Sequence, residues 1–158
     1  MGYFLHLPSV VLFAFSTDTV DYVEIADRAS LLINHYLKLP VTLITSEDAD
    51  PKFAYDNVVR INQTGGTYRI DTEHRKVQWK NFDRYLAYQF SPYYETLLLD
   101  TDYVILDNSL LKLFETEFDY KLMHHNHNDS GITVDEMGYT SLPYIWATVV
   151  LFRKTERA

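Results

Sequence analysis

Residues 9–15, Ser-Val-Val-Leu-Phe-Ala-Phe, are an unbroken apolar run rich in β-branched and aromatic residues, and it limits the fold more than any other stretch. A strand with one wet face alternates apolar and polar residues. A continuous run is buried on both faces, as in a parallel sheet covered by helices on either side. The run breaks at Ser16-Thr17-Asp18-Thr19. From Val20 to Leu39 apolar residues then recur near helical spacing, with Val23, Ala26 and Leu31 on the stripe, until Pro40 closes the segment. Val41-Thr-Leu-Ile-Thr45 is a second short apolar strand. Strand, helix and strand in that order read as a βαβ unit with parallel strands.

The rest of the chain continues the pattern. Residues 57–62 (NVVRIN) predict a third strand. Gly65-Gly66 and the alternating TYRID and KVQW segments around Glu73-His74 predict a polar hairpin excursion. Residues 81–90 (NFDRYLAYQF) predict a helix with Phe82, Tyr85, Leu86 and Gln89 along one side, ended by Ser91-Pro92. ETLLL (95–99) and YVIL (103–106) predict two strand pieces. Asp107-Asn108-Ser109 offers an N-cap to a following helix. YKLMHH (120–125) and YIWATVVLF (144–152) predict two more strands, with a polar loop between them. The expected architecture is a single α/β domain over residues 1–158, with a mostly parallel central sheet flanked by helices.

Composition narrows the function. The chain is 47% hydrophobic and 23% charged, ordinary for a globular protein with a core. Its net charge of −8 repels nucleic acid and anionic membranes, so neither is an expected partner. Without cysteine there is no disulfide framework or thiolate metal site, which suits a reducing, cytoplasmic setting. The apolar opening has no basic residue before it and no cleavage pattern, and His6 stands where a myristoylation signal needs Ser or Thr. No apolar run approaches the roughly 20 residues of a membrane span. Thirteen tyrosines suit a wet cleft or interface.

Asp100-Thr101-Asp102 is the stretch that carries chemistry. It separates Leu97-Leu98-Leu99 from Val104-Ile105-Leu106, where a plain linker would use Gly, Asn or Ser. In extended backbone the two carboxylates lie on one side, about 6.5 to 7 Å apart. With a slight turn both reach one divalent ion. Mn²⁺ or Mg²⁺ favours oxygen ligands, relieves their mutual repulsion and keeps places for phosphates. The pair also ends a strand, where open α/β sheets bind ligands. The plainer alternative is a solvated polar turn. His124, His125 and His127 form a rival imidazole cluster, but the surrounding spacing matches no standard site, so a solvated loop is expected. Asn126 and Asn128 beside them are candidates for contacting a sugar.

Residues 93–115 (YYETLLLDTDYVILDNSLLKLFE) resemble the DxD segment of GT-A-fold glycosyltransferases, especially those related to glycogenin and bacterial galactosyltransferases. Residues 10–30 are similar to that family's first strand, nucleotide-cradling loop and first helix. Residues 80–102 resemble the helix before DxD, and residues 142–154 fall at its acceptor-side strand. The resemblance implies a GT-A (Rossmann-like) fold and transfer of a sugar from a nucleotide-sugar donor such as a UDP-sugar. It implies Mn²⁺ or Mg²⁺ held by Asp100 and Asp102, with Thr101 between them. Phe15, Ser16, Thr17 and Tyr22 would hold base and ribose, Tyr22 being equally well placed as a core-edge residue. Arg84 occupies the place of a family arginine that contacts phosphate or orients an Asp. A surface helix arginine is the other reading of it.

The family's late metal-binding histidine has no counterpart here, and YIWATVV stands where the family has an Asn-Ser-Gly-like acceptor turn. The expectation is therefore the N-terminal, donor-binding part of the fold, with no catalytic base assigned. Two other readings stand beside it. One is a nucleotide-sugar-binding domain without turnover. The other is a haloacid-dehalogenase-like phosphatase, with Asp100 as nucleophile, Asp102 as general acid and Val104 completing the motif. That motif normally lies on the first strand, and only Lys112, Lys121 and Lys154 follow it here. No G-x-G-x-x-G follows the first strand, which excludes the dinucleotide-binding fingerprint of a dehydrogenase, and no P-loop is present.

Overall fold

The computed structural model describes residues 5–63, 68–70, 73–123 and 146–155. In chain order the elements are β1 (Leu5–Ala14), α1 (Tyr22–Tyr36), β2 (Val41–Thr45), β3 (Asn57–Arg60), β4 (Tyr68–Ile70) and β5 (Lys76–Gln78). A 3-10 helix (Phe82–Leu86) runs into α2 (Ala87–Phe90). Next come β6 (Tyr93–Leu99), a second 3-10 helix (Ser109–Phe114), β7 (Tyr120–Met123) and β8 (Trp146–Arg153).

Six strands form one sheet in the order β3-β2-β1-β6-β8-β7. β3, β2, β1 and β6 are parallel neighbours, and β8 runs antiparallel to both β6 and β7. The expected α/β class is the observed one. β1 sits at the centre, and its run is buried on both faces. Val10, Leu12 and Ala14 pack with Leu43, Leu97, Leu99 and Leu151 against α1, while Val11, Phe13 and Phe15 pack with Ile44, Leu98, Phe152 and Ala87 on the opposite side. Period-2 alternation along β1 thus divides one apolar run between two cores.

α1 is shorter than the Val20–Leu39 pattern, and its buried stripe is Val23, Ala26, Ala29, Ser30 and Ile33. Leu31, expected on that stripe, is 61% exposed. Ser30 takes an inner position because its hydroxyl donates to the Ala26 carbonyl at 2.8 Å, which removes the cost of burying it. The helix stops where Lys38 adopts a left-handed φ of 54°, ahead of Pro40.

Two other expectations are corrected. Residues 81–90 are a 3-10 turn and one short α turn, and the inner side is Asp83, Arg84 and Ala87, while Phe82 and Tyr85 face outward. Residues 103–106 are not a strand. Tyr103 N–H donates to the Asp100 carbonyl at 3.1 Å, turning the chain away from the ladder. Val104 and Leu106 are 64% and 75% exposed, and only Ile105 enters the core. The β1–β6 pairing ends at Leu12↔Leu99 and the β6–β8 pairing at Leu99↔Val149, so the turn carries the chain off the sheet beside strands that continue past it. The expected hairpin is present as β4–β5, antiparallel with Tyr68 opposite Gln78. The three histidines, with Asn126 and Asn128, lie outside the described residues.

Candidate functional site

From β1 the chain goes to β2 on one side, and the parallel strand on the other side of β1 is β6, which comes later in the sequence. This is a topological switch point, and a crevice opens there beyond the carboxyl ends of the strands. The loop after β1 and the turn after β6 leave the sheet side by side. A cleft of about 190 Å³ lies between them, lined by Phe13, Phe15, Thr17, Tyr22, Arg69, Gln78, Trp79, Lys80, Asn81, Asp100, Thr101 and Asp102.

Of the eight residues that the resemblance assigned to donor and metal, six share one cleft: Phe15, Thr17, Tyr22, Asp100, Thr101 and Asp102. Ser16 and Arg84 stand behind it. The Ser16 hydroxyl donates to Asp21 Oδ1 at 2.8 Å, and the same oxygen accepts the backbone N–H groups of Val23 at 3.0 Å and Glu24 at 3.1 Å. These bonds cap α1 and hold the Asp21 carboxyl below its usual range, with the Ser16 hydrogen bond the largest cause. Thr17 closes the loop, donating its N–H to the Val20 carbonyl at 2.9 Å and accepting the Val20 N–H on its hydroxyl at 3.1 Å. Tyr22 opens α1, where it both borders the cleft and packs on the α1-side core.

On the opposite strand, Asp100 donates its N–H to the Thr148 carbonyl at 3.0 Å, so β8 anchors the start of the turn. Its Oδ1 accepts from Arg84 Nη1. Arg84 is only 9% exposed. Burial pulls its guanidinium below the ordinary arginine value, opposed first by the charge of Asp100 and then by their hydrogen bond. Of the readings open for Arg84, the geometry is that of a buried partner that orients Asp100. Its other terminal nitrogen, Nη2, is buried and hydrogen-bonds to none of the described residues. Thr101 is buried, while Asp102 is exposed.

Two carboxylates in a turn suit a hard divalent cation. Asp100 bonds to Arg84 through Oδ1, and Oδ2 remains for a ligand. Mg²⁺-type sites commonly take one or two carboxylates and complete their shell with water and phosphate. Among the described residues no group of three His, Cys, Asp or Glu side chains converges. The two carboxylates fit as oxygen donors in part of such a shell.

The remaining wall was not singled out from sequence. Arg69, Gln78, Trp79, Lys80 and Asn81 come from the β4–β5 hairpin and the segment after it. Gln78 Oε1 accepts the Asp18 N–H at 2.8 Å, and Gln63 Nε2 donates to the Lys80 carbonyl. A signal was present: Arg69, Arg75, Lys76 and Lys80 cluster within a strongly acidic chain.

No protein-family model and no curated protein matches the chain. Among solved structures it is similar to the glycosyltransferase GlyE of Streptococcus pneumoniae TIGR4, with a TM-score of 0.56 and 17% identity over 92% of this chain. The likeness is to a glycosyltransferase fold. This chain spans 34% of that GlyE chain. The apo form of GlyE follows at a TM-score of 0.47 and 16% identity, again over 92% of this chain and 34% of that one. A 4-diphosphocytidyl-2C-methyl-D-erythritol synthase from Anaerococcus prevotii DSM 20548 gives a TM-score of 0.40 and 11% identity, over 94% and 72% of the two chains. These two looser likenesses carry no argument. At 17% identity the first one speaks for fold alone. No helix among the described residues is long and apolar enough to cross a membrane.

Proposed function

We propose that this chain is the donor-binding part of a metal-dependent glycosyltransferase that uses a nucleotide-sugar, with a UDP-sugar as the first candidate. The observation that carries the reading is the meeting, at the β1/β6 switch point, of the Asp100-Thr101-Asp102 turn with Phe15, Thr17 and Tyr22 in one cleft. The likeness to the GlyE fold over 92% of the chain supports a transferase over a phosphatase. The cysteine-free composition suits cytoplasmic work.

In this reading Asp100 and Asp102 hold Mn²⁺ or Mg²⁺, which supplies Lewis-acid stabilisation to a diphosphate leaving group. Arg84 fixes the Asp100 carboxylate in one orientation. Phe15 and Tyr22 offer apolar and aromatic surface to the nucleoside, and Thr17 supports the loop around it. In the transfer, the bond from the anomeric carbon to the leaving phosphate oxygen breaks and its electron pair stays on that oxygen. An acceptor oxygen forms the new bond to the anomeric carbon, and its proton passes to solvent.

Calorimetric titration with UDP, with and without Mn²⁺, tests the proposal. The expected outcome is Mn²⁺-dependent binding that disappears in Asp100→Ala/Asp102→Ala. UDP binding that persists unchanged in the double variant would remove the metal role of the pair.

A further inference from the structure

The wall opposite the aspartates is basic, in a protein whose net charge is −8. The hairpin region holds four cations. Arg75 pairs with Glu73 at 3.0 Å, and Lys76 Nζ sits 4.4 Å from the centre of the Tyr68 ring. Arg69 and Lys80 instead line the cleft, and neither makes an ion pair among the described residues. The nearest sign of a partner is Asp48, whose carboxyl is lowered first by Ser46 and only last by the field of Lys80. Two anchors place these cations. The Asp18–Gln78 bond ties the hairpin to the loop after β1, and Gln63 holds the Lys80 carbonyl.

Charge accounting shows what they can do. Asp100, Asp102, Arg84 and one divalent ion together leave that wall with a single positive charge. A nucleoside diphosphate carries about three negative charges at neutral pH, because a terminal phosphate loses its second proton near pH 6. The excess of about two negative charges equals what Arg69 and Lys80 supply. Arg84 cannot serve instead, since it lies behind Asp100 and outside the cleft lining.

We infer that the β4–β5 hairpin is the second jaw of a diphosphate clamp, in which Arg69 and Lys80 bind the phosphate oxygens facing away from the aspartate-held metal. This rests on the donor-site reading above and adds to it the groups that discriminate a diphosphate from a neutral or singly charged ligand. Arginine offers paired donors to phosphate oxygens, and lysine a compact charge. Such contacts respond to salt, because the hairpin is exposed and screening there is strong.

The test is UDP titration with Mn²⁺ present, at low and high salt, on the 158-residue chain and three variants: Arg69→Gln/Lys80→Gln, Lys76→Gln and Asp100→Ala/Asp102→Ala. The expected result is a loss of affinity of about tenfold or more in Arg69→Gln/Lys80→Gln, as for removal of charge-assisted hydrogen bonds, with a flatter salt dependence. Lys76→Gln, which removes a charge from the same hairpin outside the cleft, should stay within about twofold, the spread of screened surface charges. Equal losses in these two variants, or none in either, would overturn the clamp while leaving the donor site standing if the aspartate variant still abolishes binding. Absence of UDP binding by the unaltered chain would overturn the donor reading and the clamp together. Unchanged circular dichroism and melting midpoint in the hairpin variants would show that a change in affinity is not a failure to fold.

Discussion

At the scale of single residues, the pair Arg84–Asp100 couples the fold to the site. Arg84 lies under the β6 carboxyl end with its side chain 11% exposed, and Asp100 faces the cleft with its side chain 29% exposed. Breaking a fully buried pair by removing one partner costs about 3 to 5 kcal/mol. The partial exposure of Asp100 lowers that figure, so Arg84→Gln should destabilise the chain by about 1 to 3 kcal/mol in urea unfolding. In a double-mutant cycle with Asp100→Asn the two costs should fall short of additivity, because the second change removes a carboxylate that the first has already left unpaired. Additive costs would show that the pair is incidental. Arg84 was a candidate because the resemblance places an arginine at that distance ahead of the Asp-Thr-Asp segment. Its burial was not legible, because Phe82 and Tyr85 are the residues that an amphipathic helix would have turned inward.

At the scale of elements, α1 shows how a short polar loop is made to serve a helix. Asp21 accepts from Ser16 and from the first-turn amides, so Asp21→Ala should cost about 1 kcal/mol, the usual worth of an N-cap. The pH dependence follows from the lowered carboxyl. The folded chain binds that proton less readily than the unfolded one. The contribution is therefore complete above the ordinary aspartate value of about 3.9 and is lost as pH falls through the lower folded value. Asp21 is exposed, so solvent screening keeps this effect small. Asp21→Asn should keep most of the cap near neutrality and show less acid-side loss between about pH 5 and 2 in thermal melts. The turn after β6 makes a related point. Residues 103–106 have strand composition, yet they leave the sheet because the Asp100–Tyr103 turn redirects the chain where the β6 pairings end, leaving only Ile105 in the core.

At the scale of the whole molecule, the cleft joins segments that are far apart in sequence, so a ligand bound there should brace the fold. With UDP and Mn²⁺ together at about 100 times the dissociation constant, the stabilisation expected from mass action is about 2.7 kcal/mol. For a chain of this size that raises the melting midpoint by roughly 5 to 10 °C. UDP or Mn²⁺ alone should give a much smaller shift, since each is expected to complete the other's site. Equal shifts with UDP alone would place its recognition outside the aspartate pair.

The apolar runs at 9–15, 41–45 and 95–99 determined a helix-covered, mostly parallel sheet, because both-face burial is written into adjacent residues. The position of Asp100-Thr101-Asp102 after such a run was also enough to set the carboxylates at a strand end. Tertiary structure alone decided what faces them. Asp18 meets Gln78, Arg84 meets Asp100, and Arg69 and Lys80 reach the cleft through contacts that join distant segments. No local periodicity encodes those meetings. They follow from the strand order and from where an inserted hairpin docks, which is settled only when the whole chain packs.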